Sequence, residues 1–302
     1  MGTGPTTNAL GSRLREGASR QSIGPAGATG LRLLTYLAPG LPLALFAAVA
    51  DHLRRCPDLG GREITLASEE RVSGPDRGSV DRSEDPFSRG AADVGFLCAP
   101  TYLGLRERER PSAELLGVAP MFEDERARDK PVYFCDVIVR RGSPARSFSD
   151  LEGGVWAYND PWSLTGYGGL AARLGSPGEA GRFFGRTIRS GSHPASVRLV
   201  ADGGADAASI DSNVLRLLLE RDPALREEVR VLEPWGPYPI QPVVVRADLD
   251  PALKGALRES LLDTEADPRT RPELGAFGLK RFVAVGEEDY DAGRLPQPSA
   301  GS

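Results

Sequence analysis

Three short turns carry the residues whose types and spacing suit chemistry: Trp162-Ser163-Leu164-Thr165-Gly166, Ser190-Gly191-Ser192-His193 and Ile210-Asp211-Ser212. Each joins an apolar run or a turn to a helical stretch. The first amides of a helix lack intrahelical partners and the macrodipole leaves partial positive charge there, so hydroxyls at such a junction make a site for phosphate, phosphonate, sulfonate or carboxylate. Ser163 and Thr165 are equally suited to capping the helix, and that alternative stands beside the anion site. His193, just ahead of Pro194 at a helix start, offers a hydrogen bond, or a charge when protonated. As a lone histidine it also fits a satisfied structural contact. Asp211 reads either as a cap or as an acceptor for a cationic or hydroxyl-bearing group of a ligand.

Short β-rich runs alternating with helical ones must position these turns. Leu31 to Leu37 precedes a helix over Pro42 to Arg55, followed by Glu63 to Ala67 and a long charged loop from Ser68 to Asp85. Asp93 to Ala99, Leu115 to Ala119 and Tyr133 to Val139 read as strands, and Val155 to Tyr158 as the strand entering the first turn. Helices are expected over Thr165 to Leu174, Glu179 to Phe184 and Pro194 to Ala201. The strand Ala207 to Ile210 delivers Asp211 ahead of a helix over Val214 to Glu220. Strands at Val229 to Leu232 and Pro242 to Val245, a helix from Pro251 to Leu262 and a strand at Phe282 to Val285 complete the pattern. Such alternation predicts an α/β fold, with ligands collecting outside the carboxyl ends of the strands.

Composition narrows the partners. With 302 residues, 40% hydrophobic and 26% charged, the chain is long enough for two lobes. A net charge of -5 with no long Lys or Arg run argues against nucleic acid. The apolar run Leu41 to Ala50 gives way at once to Asp51, His52, Arg54 and Arg55, so it reads as an amphipathic core helix and no transmembrane segment is expected. Cys56, Cys98 and Cys135 are too few and scattered for a disulfide framework. Cys98 and Cys135 with His193 match no zinc spacing, and no metal or cofactor is expected. Residues 1–30 and 291–302 read as loose tails. No signal peptide or lipid-anchor cysteine is seen, so the sequence as given reads as cytoplasmic, or extracytoplasmic if the native start lies elsewhere.

Taken together, ADVGFLCAPTYL (Ala92 to Leu103), PVYFCDVIVRRGSP (Pro131 to Pro144), SDLEGGVWAYNDPWSLTGY (Ser149 to Tyr167), SGSHPASVRLVADGGADAASIDS (Ser190 to Ser212) and RFVAVGEEDYD (Arg281 to Asp291) resemble the phosphonate-type substrate-binding proteins of ABC transporters. The resemblance covers about residues 31–291. It implies a two-lobed type II periplasmic-binding-protein fold, each lobe a mixed sheet flanked by helices, with the ligand cleft between lobes. Lobe 1 would comprise residues 31–132 plus 240–290, and lobe 2 residues 133–239. The resemblance further implies that Ser163, Thr165 and Gly166 grip the anion, that His193 joins them, and that Asp211 meets an amine on the ligand. Tyr36, Tyr102 and Tyr133 would line the cleft.

One departure bears on specificity. The family turn often reads Ser-Thr-Ser-Gly, whereas Leu164 here stands where a hydroxyl is expected. A lost hydrogen bond to a charged group costs about 1.5–3 kcal/mol, roughly one to two decades in affinity. Trp162 and Leu164 therefore point to a more apolar or bulkier ligand than a simple phosphonate. The resulting expectation is a monomeric, non-catalytic protein with no catalytic residue, which closes on a small anionic ligand for an ABC permease. The alternative is a cytoplasmic enzyme on the same fold, with His193 or Asp211 as acid or base.

Overall fold

The computed structural model describes residues 30–37, 40–68, 85–161 and 163–291. The expectations for Trp162, for residues 1–29 and 292–302 and for most of the charged loop fall outside the described residues. In chain order the described strands are β1 (Gly30–Thr35), β2 (Glu63–Ser68), β3 (Val94–Phe96), β4 (Ala113–Leu115), β5 (Val118–Phe122), β6 (Val132–Arg140), β7 (Val155–Tyr158), β8 (Arg186–Arg189), β9 (Ala207–Asp211), β10 (Val229–Pro239), β11 (Val243–Arg246) and β12 (Leu279–Ala284).

Two mixed five-stranded sheets form, in the orders β2-β1-β3-β11-β4 and β10-β6-β9-β7-β8, with β12 and β5 making a smaller antiparallel pair. In the first, β1 runs parallel to β2 and β3 while β11 is antiparallel to β3 and β4. In the second, β7 is parallel to β8 and β9, and β6 is antiparallel to β9 and β10. The chain leaves the first sheet after β4, runs through β5 into the second sheet at β6, and returns between β10 and β11. These two crossovers lie side by side, tied by the Ile240 amide, which donates to Pro131 O at 2.9 Å.

The first helix, Leu43–Arg55, buries Leu45, Phe46, Val49, Ala50 and Leu53, the stripe that a 3.6-residue period places on one face. No described helix is long and apolar enough to cross a membrane. The second sheet rests on an aromatic cluster in which Trp156 of β7 lies 5.0 Å from Phe184 and 6.0 Å from Trp235, and Phe148 lies 5.3 Å from Trp235, centroid to centroid. Such edge and offset contacts add to the burial of large rings and fix β7 in place. That strand leads straight into the Ser163 turn.

Several elements exceed what local sequence signals. The β8 segment RTIR is short, charged and largely exposed at a sheet edge, so neither alternation nor apolar content marks it. β10 continues to Pro239 through Pro234, Gly236 and Pro237, residues that disfavour strands, because its long pairing with β6 absorbs the irregularities as register shifts.

Candidate functional site

The polar turns converge at the carboxyl ends of parallel strands. Tyr36 follows β1, Cys98 follows β3, Asn159 follows β7, and Asp211 is the last residue of β9. Strand ends of both sheets face one another here. A Cβ placed on Gly40, in the loop after β1, would sit 3.7 Å from Val214 Cγ2 and 3.8 Å from His193 Cδ2. The first sheet's loop therefore lies against the helix starts of the second.

Asp211 is the hub. Its Oδ1 accepts from the Thr165 hydroxyl and lies 3.1 Å from His193 Nε2, while Oδ2 accepts from Gln241 Nε2 at 3.1 Å. Thr165, His193 and Gln241 are all buried. The structure thus brings together Thr165, His193 and Asp211 and adds Gln241. No local signal marks Gln241, because it reaches the site from the return crossover rather than from a strand-to-helix turn.

The first turn is a short π-helix, Leu164–Gly168, in which the Gly168 amide donates to Ser163 O at 3.0 Å. Ser163 does cap it: its Oγ accepts from the Gly166 amide at 3.0 Å. A hydroxyl that accepts in this way keeps its own proton to donate. The Thr165 carbonyl is held by Cys135 Sγ at 3.1 Å and Ser209 Oγ at 2.7 Å, which pins the turn to β6 and β9. Leu164 points into the hydrophobic core with 2% of its surface exposed, so the missing hydroxyl is a packing residue rather than a gap in the wall of the site.

The two described histidines differ in a telling way. His52, outside the site, has partners on both ring nitrogens: Nδ1 meets Thr270 Oγ1 at 2.8 Å and Asp267 Oδ2 at 3.0 Å, and Nε2 meets Ser260 O at 2.7 Å. His193 directs Nε2 at Asp211 and at Asn159 Nδ2, 3.3 Å away, while its buried Nδ1 has no partner among the described residues. Buried polar atoms are nearly always paired, so an orphan of this kind points to a ligand contact. Asn159 was within reach of sequence reading, two residues beyond Ala157 in the same stretch, but nothing about an asparagine in a turn distinguishes it from a turn former.

The aromatic residues divide. Tyr133 is buried beside Asp211 and edge-on to Tyr238 at 6.4 Å, and burial with the Asp211 carboxylate pushes its phenol well up. Tyr36 is half-buried, its amide donating to Phe96 O at 3.1 Å. Tyr102 goes elsewhere. It lies one turn into the helix Ala99–Arg106, donates to Glu287 Oε1 at 2.6 Å and packs edge-on to Tyr290, on the side of the chain's last turn of helix.

Cys98 lies half-buried where the first sheet meets Asp211 and Asp160, and desolvation followed by those two carboxylates pushes its thiol up to about 12. At pH 8 about one such thiol in ten thousand is the reactive thiolate. Alkylation of Cys98, followed by peptide mapping, should therefore accelerate about tenfold per pH unit from pH 7 to 10. A plateau near pH 9 contradicts this placement. Among the described residues no group of three or more His, Cys, Asp or Glu side chains is arranged to hold a metal ion.

Two mixed sheets joined by paired crossovers, with polar turns meeting at their strand ends, define a two-lobed binding architecture. Residues 79–290, more than two thirds of the chain, match the family of ABC transporter, phosphonate, periplasmic substrate-binding proteins, and the chain belongs to that family. Solved structures agree on the fold. A binding protein component of an ABC phosphonate transporter from Pseudomonas aeruginosa is 16% identical, with 87% of this chain and 83% of that one covered and a TM-score of 0.70. PhnD1 from Prochlorococcus marinus, in complex with methylphosphonate, is 16% identical with 87% and 94% covered and a TM-score of 0.68. A protein from Xanthomonas citri bound to ATP is 20% identical with 87% and 93% covered and a TM-score of 0.60. The chain is a solute-binding protein for ABC transport, and the alternative of a stand-alone enzyme finds no support in these likenesses.

Proposed function

We propose that the cleft binds a small organic or inorganic anion of the phosphonate, phosphate, sulfonate or carboxylate class outside the cytoplasm and passes it to an ABC permease. The observation that carries this reading is the buried, unpartnered Nδ1 of His193 on a ring whose Nε2 meets Asp211. Asp211 fixes the ring through Nε2, which leaves Nδ1 as the ring's remaining polar atom for a ligand. The Ser163 hydroxyl proton and the Asn159 amide stand on neighbouring turns as further contacts. Thr165 acts through Asp211 rather than on the ligand, since its hydroxyl donates to that carboxylate. Tyr133 and Tyr36 line the cleft, with lobe boundaries at the crossovers near residues 132 and 240, and the protein works as a monomer.

The test is thermal unfolding in the presence of phosphate, methylphosphonate, ethanesulfonate and acetate. An anion at a hundred times its Kd stabilises by about 2.7 kcal/mol, and each kcal/mol raises the Tm by about 2–4 °C for a chain of this size. At least one anion class should give such a shift, and Ser163→Ala and His193→Ala should each reduce it. A panel in which no anion moves the transition sinks the proposal.

A further inference from the structure

We infer that Gln241 selects the ligand: it presents its side-chain carbonyl to a hydrogen-bond donor on the bound anion, so the cleft prefers a hydroxylated or otherwise donor-bearing anion to a donor-free one. This rests on the cleft being the anion site argued above. Gln241 is 2% exposed and lies in the return crossover between β10 and β11. Its Nε2 donates to Asp211 Oδ2 at 3.1 Å. A carboxylate oxygen only accepts, so the nitrogen end must face Asp211, and the ambiguity between the two ends of a glutamine amide is removed.

The carbonyl is thereby aimed away from Asp211, and Oε1 is buried with no partner among the described residues. The neighbouring backbone has nothing to give it. Pro242 has no N–H, and the Ile240 amide already donates to Pro131 O at 2.9 Å. A buried acceptor fixed in orientation and left unpaired is rare in folded proteins unless a ligand or water supplies the donor. Asp211 is engaged by Thr165, His193 and Gln241, so the group offered to the ligand is a neutral amide oxygen. His193 and Gln241 flank opposite oxygens of one carboxylate, which assigns the anionic head to the histidine side and the donor to the glutamine side of a single small molecule.

The experiment is calorimetric titration of the full chain with matched pairs: hydroxymethylphosphonate against methylphosphonate, isethionate against ethanesulfonate, and glycolate against acetate. In whichever class binds, the hydroxylated member should bind about tenfold or more tightly than its partner, the discrimination expected where a buried acceptor gains or lacks its donor. In Gln241→Met that ratio should fall to about one. Equal affinities within every pair for the unaltered protein overturn the inference, as does a ratio that survives in Gln241→Met. If Gln241→Met fails to fold, the pair ratio in the unaltered protein decides alone. Absence of binding by every member of every pair is a different outcome, which removes the anion site itself.

Discussion

Asp211→Ala is expected to lower the unfolding temperature by about 10 °C and to reduce anion binding by at least a hundredfold. The substitution leaves the Thr165 hydroxyl, the His193 Nε2 position and the Gln241 amide without their shared acceptor, all in buried surroundings. Each buried donor left unpaired costs about 1–3 kcal/mol, and since the three share one partner their effects combine to roughly 3–6 kcal/mol rather than adding in full. At about 2–4 °C per kcal/mol this gives the stated shift. Binding falls further because His193 and Gln241 lose the contact that orients them. Calorimetric unfolding with anion titration reads both quantities. A Tm within about 3 °C of the parent, with affinity retained, is incompatible with Asp211 as the hub.

Gly166→Ala is expected to separate binding from folding. A Cβ at Gly166 would fall 1.7 Å from Asn159 Oδ1, 2.8 Å from its Cγ and 3.1 Å from Ser163 Oγ. The Asn159 side chain must leave, and with it goes its contact to His193 Nε2 at 3.3 Å. The overpacking costs about 1–3 kcal/mol, a few degrees in Tm, whereas the anion loses one contact directly and a second through the histidine, about one to two decades in affinity. The pair Gly166→Ala with Asn159→Ala isolates the cause. If Asn159 is the obstruction, removing it recovers the stability but not the affinity, and a double substitution as unstable as the sum of its parts contradicts the geometry.

Much of this site is readable in the chain because its parts sit in strand-to-helix turns. The β-branched and aromatic run before Asn159, the Gly-Ser-His-Pro sequence and the Ile-Asp-Ser sequence each combine a strand ending with a helix start, and Asp211 does close β9. Gln241 escapes because nothing local distinguishes a glutamine between Ile240 and Pro242. Only the folding of the return crossover past β9 gives it a role. Tyr102 shows the opposite error. An aromatic ring near a strand end suggests a cleft wall, but one turn of helix rotates it toward Glu287 and Tyr290. Leu164 is similar: its place in the turn suggests a ligand contact, while its side chain is directed inward to the core. The helix Pro223–Glu228 is unread for a different reason, since its Asp222 cap and following proline form a recognisable start that is followed by little apolar sequence.

The two crossovers, tied at Pro131 and Ile240, also determine what kind of motion the molecule can make. A single connection would act as a swivel, leaving each half free to twist as well as bend. Paired strands behave instead like the spine of a book: they flex across their width and resist rotation about their length. A hinge of that build favours bending across its width, the direction along which the loop at Gly40 lies against the helix starts at His193 and Val214.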